Sequence, residues 1–457
     1  DTPVVPVAAF AGPDQFPLDC ELPDGTPKIF SVSAPDNGVN GGPYIPRTLT
    51  AAQRRLVIAS VGSIQVPNPN YCPGSDQRCV DANIVDNDKT IPRNYGFGDS
   101  GSARLVAADG TIYPLTVAGD GWTEESITAT VPATLPTPAN NTANYYQLVV
   151  DRANTGRSSV YGVTVQVGLR QGSSVVNVAD FASIQAAIDA AGTNDLILVP
   201  PGPLGTDGKP QAYNEFVIMY KPVQLQGWGA GSTVINAVKG VASERLQAWR
   251  DKVAQLVVNN DITLLPGQEA LFGGIEPVTF FSEEGAGVLV VAPSDGLTRF
   301  DSDPNRGARI DGFTIRGADQ GGGIVASGYT DWLEVSNNVI KNNSGFFGGG
   351  FRSGHPLLDN DLVDSDNDNI RVRYNMITQN GGQGGAGGGV SLCTGSDGYQ
   401  VTNNFICGNF ALTDGGGIGH LGLSEGGRIA DNDILFNESF NQGLTVHGGG
   451  ILIAGGG

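Results

Sequence analysis

The phrase Asn-x-Ile-x-x-Asn occurs four times in the second half of the chain. It reads Asn338-Val-Ile340-Lys-Asn-Asn343, Asn375-Met-Ile377-Thr-Gln-Asn380, Asn404-Phe-Ile406-Cys-Gly-Asn409 and Asn432-Asp-Ile434-Leu-Phe-Asn437. The copies are 37, 29 and 28 residues apart. Between them a Gly-Gly-Gly-apolar phrase returns, starting at Gly321, Gly348, Gly387, Gly415 and Gly448. Self-similarity at this period is the mark of a solenoid, in which each unit buries its apolar face only against its neighbours.

Aligning the units on their isoleucines turns the sequence into columns. Ile310, Val335, Val372, Val401 and Ile429 share one inward position. Alternation along a strand sends the flanking residues outward. One outward column is Arg309, Glu334, Arg371, Gln400 and Arg428; the other is Asp311, Ser336, Arg373, Thr402 and Ala430. With strands about 4.8 Å apart, Arg309, Glu334 and Arg371 are expected to form a charge ladder. It reads first as a solvated ion-pair stripe, each pair worth roughly 0–1 kcal/mol, and second as a substrate groove. The asparagines are expected at turns, where their side chains bond backbone, tolerate left-handed φ and bond each other from coil to coil. The glycines permit bends that a Cβ would block.

The first half is different. Residues 1–50 are rich in Pro, Gly and Asn and read as an extended arm. Residues 51–170 carry short alternating strands: Leu56–Ile58, 103–106, 126–131, 146–150 and 161–167. Turn residues such as Asp109-Gly110 separate them, the pattern of an antiparallel sandwich. Tyr95-Gly-Phe-Gly98, Trp122 and the run from Ile127 to Val131-Pro132 give this region a resemblance to immunoglobulin-like IPT/TIG modules. That resemblance implies a spacer or docking unit.

At residue 180 the pattern changes. Asp180 is placed to cap a short helix with Phe181, Ile184, Ile188 and Ala191 on one face, ended by Gly192. Next come Asp195-Leu-Ile-Leu-Val-Pro-Pro201-Gly202, Tyr213–Ile218 and Val223–Gly229. Ile184-Gln-Ala-Ala-Ile188-Asp, the following strand and Pro-Pro-Gly resemble the opening of pectin-lyase-like right-handed parallel β-helices, where a helix covers the first coil. The fold expected is therefore all-β: a right-handed parallel β-helix over 176–457 behind a small immunoglobulin-like sandwich. Its cap would span 181–191. A helical insertion at 243–257, with Leu246, Trp249, Val253 and Leu256 at helical spacing, would pack on its flank. The last strand, Ile451-Leu-Ile453, is expected to leave an open edge for further coils beyond 457 or for an assembly partner.

Charge narrows the partners. Lys and Arg total 26 against 46 Asp and Glu, a net −20. That excludes the basic footprint needed for nucleic acid. No apolar run is long enough to span a bilayer. No signal peptide is visible, and a chain opening on Asp1 is expected to have lost one.

Candidate chemistry is sparse. Residues 351–374 form a longer coil carrying Asp359, Asp361, Asp364, Asp366 and Asp368, and Asp301-Ser-Asp303-Pro-Asn305 has similar spacing. Oxygen ligands at this density suit Ca²⁺. The stretch from Asp364 is not an EF-hand, having no Gly at the sixth place and Asn375 at the twelfth. Nothing calls for nucleotide, haem, zinc or copper. In the resembled fold, calcium or basic residues neutralise a uronate carboxylate and Arg or Lys removes a proton, which makes Arg371, Arg373 and Lys341 the lyase candidates. No outward carboxylate pair recurs, as a glycoside hydrolase would need. His420 takes a position held by Leu392 and Ile453 in other coils and reads as packed. Cys72 and Cys79 bracket a polar loop as a disulfide would; Cys393 and Cys407, on successive strands of one repeat, are expected to pair, leaving Cys20 over.

These readings favour a secreted or cell-surface protein with a structural, adhesive or glycan-binding role, its partner a glycan or another extracellular protein. A polysaccharide lyase on acidic glycans is the enzyme alternative. A non-catalytic segment of a larger extracellular enzyme or assembly is the third.

Overall fold

A computed structural model describes residues 18–48, 50–139, 142–266, 268, 284–294, 300, 308–355, 364–383, 387–441 and 443–455. Asp301, Asp303, Asp359 and Asp361 lie outside the described residues. The chain is dominated by strands, and its second half consists of stacked parallel sheets. Four sheets stack in this way, and each coil visits the three larger ones in turn, with two-residue strands such as Ser344–Gly345 adding the fourth. Glu334–Ser336 belongs to an eight-stranded sheet, Val339–Lys341 to a six-stranded one and Phe351–Ser353 to a seven-stranded one; Arg371–Arg373 then returns to the first. This arrangement is compatible with a β-helix. Among the described residues no helix is long and apolar enough to cross a membrane.

The columns read from the sequence are the columns of the fold. Ile310, Val335, Val372, Val401 and Ile429 are successive register partners. So are Ile340, Ile377, Ile406 and Ile434. The first three of these isoleucines are fully buried, and Ile434 packs half-buried on the same core. The asparagines form two ladders. Asn338 donates through Nδ2 to Oδ1 of Asn375 (3.2 Å), Asn375 to Asn404 (3.0 Å) and Asn404 to Asn432 (2.9 Å). Each Oδ1 also accepts the backbone N–H of the preceding ladder residue, and Asn343, Asn380, Asn409 and Asn437 repeat the scheme. Left-handed φ, however, falls one residue earlier, on Asn337 (57°), Tyr374 (56°), Asn403 (58°) and Asp431 (57°). The ladder asparagine stays out of the left-handed region, with its amide along the stack. Gly350, Gly389 and Gly417 are required because a Cβ on each would strike the carbonyl oxygen of the next coil's glycine.

The expected helix is present as Ile184–Ala190, but Ser183 is its cap, its hydroxyl accepting from Ala186 N–H at 3.0 Å. Asp180 ends a separate short turn, Val178–Asp180, and Phe181 points to solvent.

Before the coils, two sheets share one core. One is antiparallel, in the order Ile29–Ser33, Arg55–Ser60, Ser126–Thr130, Thr116–Trp122. The other runs Tyr44–Ile45, Thr164–Val167, Asn144–Arg152, Gly101–Ala107, Ile112–Pro114, with Arg157–Ser158 beside its centre. Ile29, Leu56, Ile58 and Ile127 from the first meet Leu105, Leu148, Val150 and Val165 from the second. The segment expected to be an arm thus supplies a strand. Its register slips between Ile29 and Ser31, which breaks the alternation that would have marked it.

Non-repeating segments cover the outer faces of the early coils. Leu246, Trp249, Val253 and Leu256 of the helix Glu244–Val258 pack on Ile218, Leu289 and Val325, an outward apolar column of the seven-stranded sheet. Residues 18–22, with Val66, Tyr95 and Tyr161, cover Val339, Met376 and Phe405 of the six-stranded sheet. Burying such columns removes apolar surface that the repeat alone would leave wet.

Candidate functional site

Two arginines of the outward columns, Arg309 and Arg373, are spent within the fold, while Arg428 is exposed. Arg309 is 3% exposed, beneath the sheet of Asn144–Arg152 and Thr164–Val167. Its guanidinium lies 4.8 Å from the Tyr145 ring, and Nη2 donates to Gln226 Oε1 (3.0 Å) and Gln166 Oε1 (3.3 Å). Next to it Asp311, fully buried, accepts five hydrogen bonds: from Thr164 N–H (2.9 Å) and Oγ1 (2.6 Å), and from Gln226 Nε2, Ser336 Oγ and Asn337 Nδ2 (2.7 Å each). Asn337 exchanges two further bonds with Gln147. The two halves of the chain are therefore joined through a largely buried polar network rather than a linker alone.

One coil on, the ion pair is diagonal. Glu334 bonds Arg373 (2.8 Å), not its register neighbour Arg371. Burial disfavours the Glu334 charge, but Arg373, Arg309 and Arg371 outweigh it and hold the carboxyl below its usual range. The charge of Glu334 in turn raises Arg373. Arg371 lies 5.3 Å from the Trp332 ring, and burial pulls its pKa down. Lys341 sits on a different sheet from both arginines. The three lyase candidates are not gathered at one cleft.

Of the longer coil's described carboxylates, Asp368 belongs to a turn column. Asp331 Oδ1 accepts from Asp368 N–H (3.0 Å), Asp368 Oδ1 from Asp397 N–H (2.9 Å) and Asp397 Oδ1 from Glu425 N–H (2.6 Å). Asp364 Oδ1 accepts from Asp366 N–H (2.8 Å). Burial raises the Asp368 carboxyl pKa, and the charges of Asp364, Asp397 and Asp366 add to that, against the bond from Asp397. Among the described residues no three His, Cys, Asp or Glu side chains are grouped to hold a metal ion.

The cysteine pairing differs from the expectation. Cys20 bonds Cys407, with Cα atoms 5.5 Å apart, and Cys72 bonds Cys79. Cys393 is a buried thiol just past Val390–Leu392 of the seven-stranded sheet, whereas Cys407 ends Phe405–Cys407 of the six-stranded sheet and faces out toward residue 20. Successive strands of one repeat lie on different faces. His420 is buried, its Nδ1 2.8 Å from Tyr399 Oη.

Beside the Cys20–Cys407 bond lies a cavity of about 260 Å³ between residues 18–28 and the six-stranded sheet, with Lys28, Arg316, Lys341 and Glu21 in its wall. Lys28 is buried, 2.8 Å from Glu21 and 3.7 Å from the centre of the Tyr95 ring. No known family model matches the chain, and no curated protein does. Of the cavity's cations, Lys341 alone drew attention in the sequence. Lys28 reaches it from a segment that no period marks, whereas Arg316 takes the repeat position of Lys341 one coil earlier. The outward apolar column Val339, Met376 and Phe405 was the legible sign that something covers this face.

Proposed function

We propose that the chain is a secreted or cell-surface protein built as a right-handed parallel β-helix of the pectin-lyase-like kind, preceded by an IPT/TIG-like sandwich. Its work is structural, adhesive or glycan-binding rather than catalytic. The observation that carries this reading is the fate of the arginine stripe. Arg309 is buried under the first half of the chain and Arg373 is bound to Glu334. A uronate lyase built on this stripe would need Arg373 free, and Glu334 holds it. Two disulfides support an oxidising compartment. The test is incubation with a panel of acidic polysaccharides, following both retention of the protein and ultraviolet absorbance of unsaturated product. Retention without product is expected. Product release by the parent that is lost in Arg371→Ala and Arg373→Ala would replace this reading with the lyase.

Calcium is part of the same proposal through the carboxylates at 359–368. The raised Asp368 pKa means that this group's contribution to stability is present below about pH 3.9, the unfolded value, and is lost as pH rises through its folded value. At pH 7 the column carries mutual repulsion that a cation would relieve. Millimolar calcium should raise the melting temperature at pH 7 by a few degrees and do little near pH 4. Equal melting curves in calcium and chelator at pH 7 would remove calcium from the proposal.

A further inference from the structure

We propose that the cavity beside the Cys20–Cys407 bond binds a small organic anion, a carboxylate carried on a body of roughly monosaccharide size. Its wall holds three cations, Lys28, Arg316 and Lys341, and one carboxylate, Glu21. This is a net positive pocket, half open to solvent with Lys28 buried and Arg316 exposed, in a chain of net charge −20. Glu21 is engaged by Lys28. Among the described residues neither Arg316 nor Lys341 has an ion-pair partner. Where acidic residues outnumber basic ones 46 to 26, two unpaired cations facing one cavity are positioned for a charge from outside the chain.

The rest of the wall describes the ligand's body. Val339 and Met376 give an apolar floor, while Thr378 and Gln379 add polar groups. A concave, partly apolar site with a few convergent polar groups is the usual form of a small-molecule pocket. Lys341 and Thr378 are register partners on one outward column, and the next residue of that column is Cys407. The disulfide therefore fixes the opposite wall at Cys20 against the sheet that carries Arg316 and Lys341, so little ordering is left for binding to accomplish. Burial lowers the Lys28 pKa, and Lys341 and Arg93 add to that against Glu21. An anion placed among these groups would offset that strain.

This inference does not rest on the scaffold reading: polysaccharide retention can fail while the cavity binds, and the reverse. The test is calorimetric titration of the full chain with glucuronate, succinate, glucose and inorganic phosphate. Glucuronate is expected to bind, more weakly as salt rises, and glucose is not. Lys341→Met and Arg316→Met should each weaken binding about tenfold or more with unchanged melting temperature. Succinate binding as tightly as glucuronate would assign the site to carboxylates generally; glucuronate alone would assign it to acidic sugars. The proposal is overturned if neither carboxylate binds, if glucose or phosphate binds as well as glucuronate, or if both variants bind like the parent.

Discussion

Asp311→Ala is expected to destabilise the protein by about 3–5 kcal/mol, read as a fall in the denaturant midpoint. The carboxylate is fully buried and accepts from five donors. Its removal strands groups on both halves of the chain: Thr164 on one side, Gln226, Ser336 and Asn337 on the other. An unsatisfied buried donor costs about 1–3 kcal/mol, and the costs are not additive because water fills part of the space. Asp311→Asn is the sharper probe. It keeps one acceptor oxygen but turns an amide N–H₂ toward existing donors, so it too should destabilise, despite matching shape. If Asp311→Asn melted like the parent, the network would not be joining the halves.

Ile406→Asp should cost more, upwards of about 4 kcal/mol. Ile406 is fully buried between Ile377 and Ile434, and the change combines lost packing with an unpaired buried carboxylate. Ile406→Val, removing one methylene, should cost only about 1 kcal/mol. Because coils touch mainly their neighbours, hydrogen exchange should rise around 370–440 before it rises near Ile235. A variant that melts with the parent would show that this isoleucine is not stacked.

What the sequence made legible was whatever repeats. The spacing of Asn338, Asn375, Asn404 and Asn432 encodes register, so the inward and outward columns follow from the sequence alone. Features that depend on the non-repeating segments were hidden. Asp311 stands in a column with Ser336, Arg373, Thr402 and Ala430, and its acidity was a cue; its partner Thr164 lies in a strand outside the coils, and Gln226, its register neighbour, is set 85 residues away by the helical insertion. The diagonal Glu334–Arg373 pair was missed because register names the facing residue, while a long side chain reaches its neighbour two places on. The Cys393–Cys407 expectation failed for a related reason. Closeness along a coil says nothing about which sheet a residue faces. The strand Ile29–Ser33 was obscured by its bulge.

The Cys20–Cys407 bond joins positions 387 apart in sequence. Covalent topology makes this a bypass. Tension applied before residue 20 and after residue 407 crosses a single sulfur–sulfur link, and the intervening chain, roughly 1,300 Å if drawn straight, carries none of it. The first half of the chain and nearly all of the coils are thereby shielded from load. The stretch after residue 407, with its half-wet Ile434 and exposed Ile451 and Ile453, is the part of the stack that a pull would reach first.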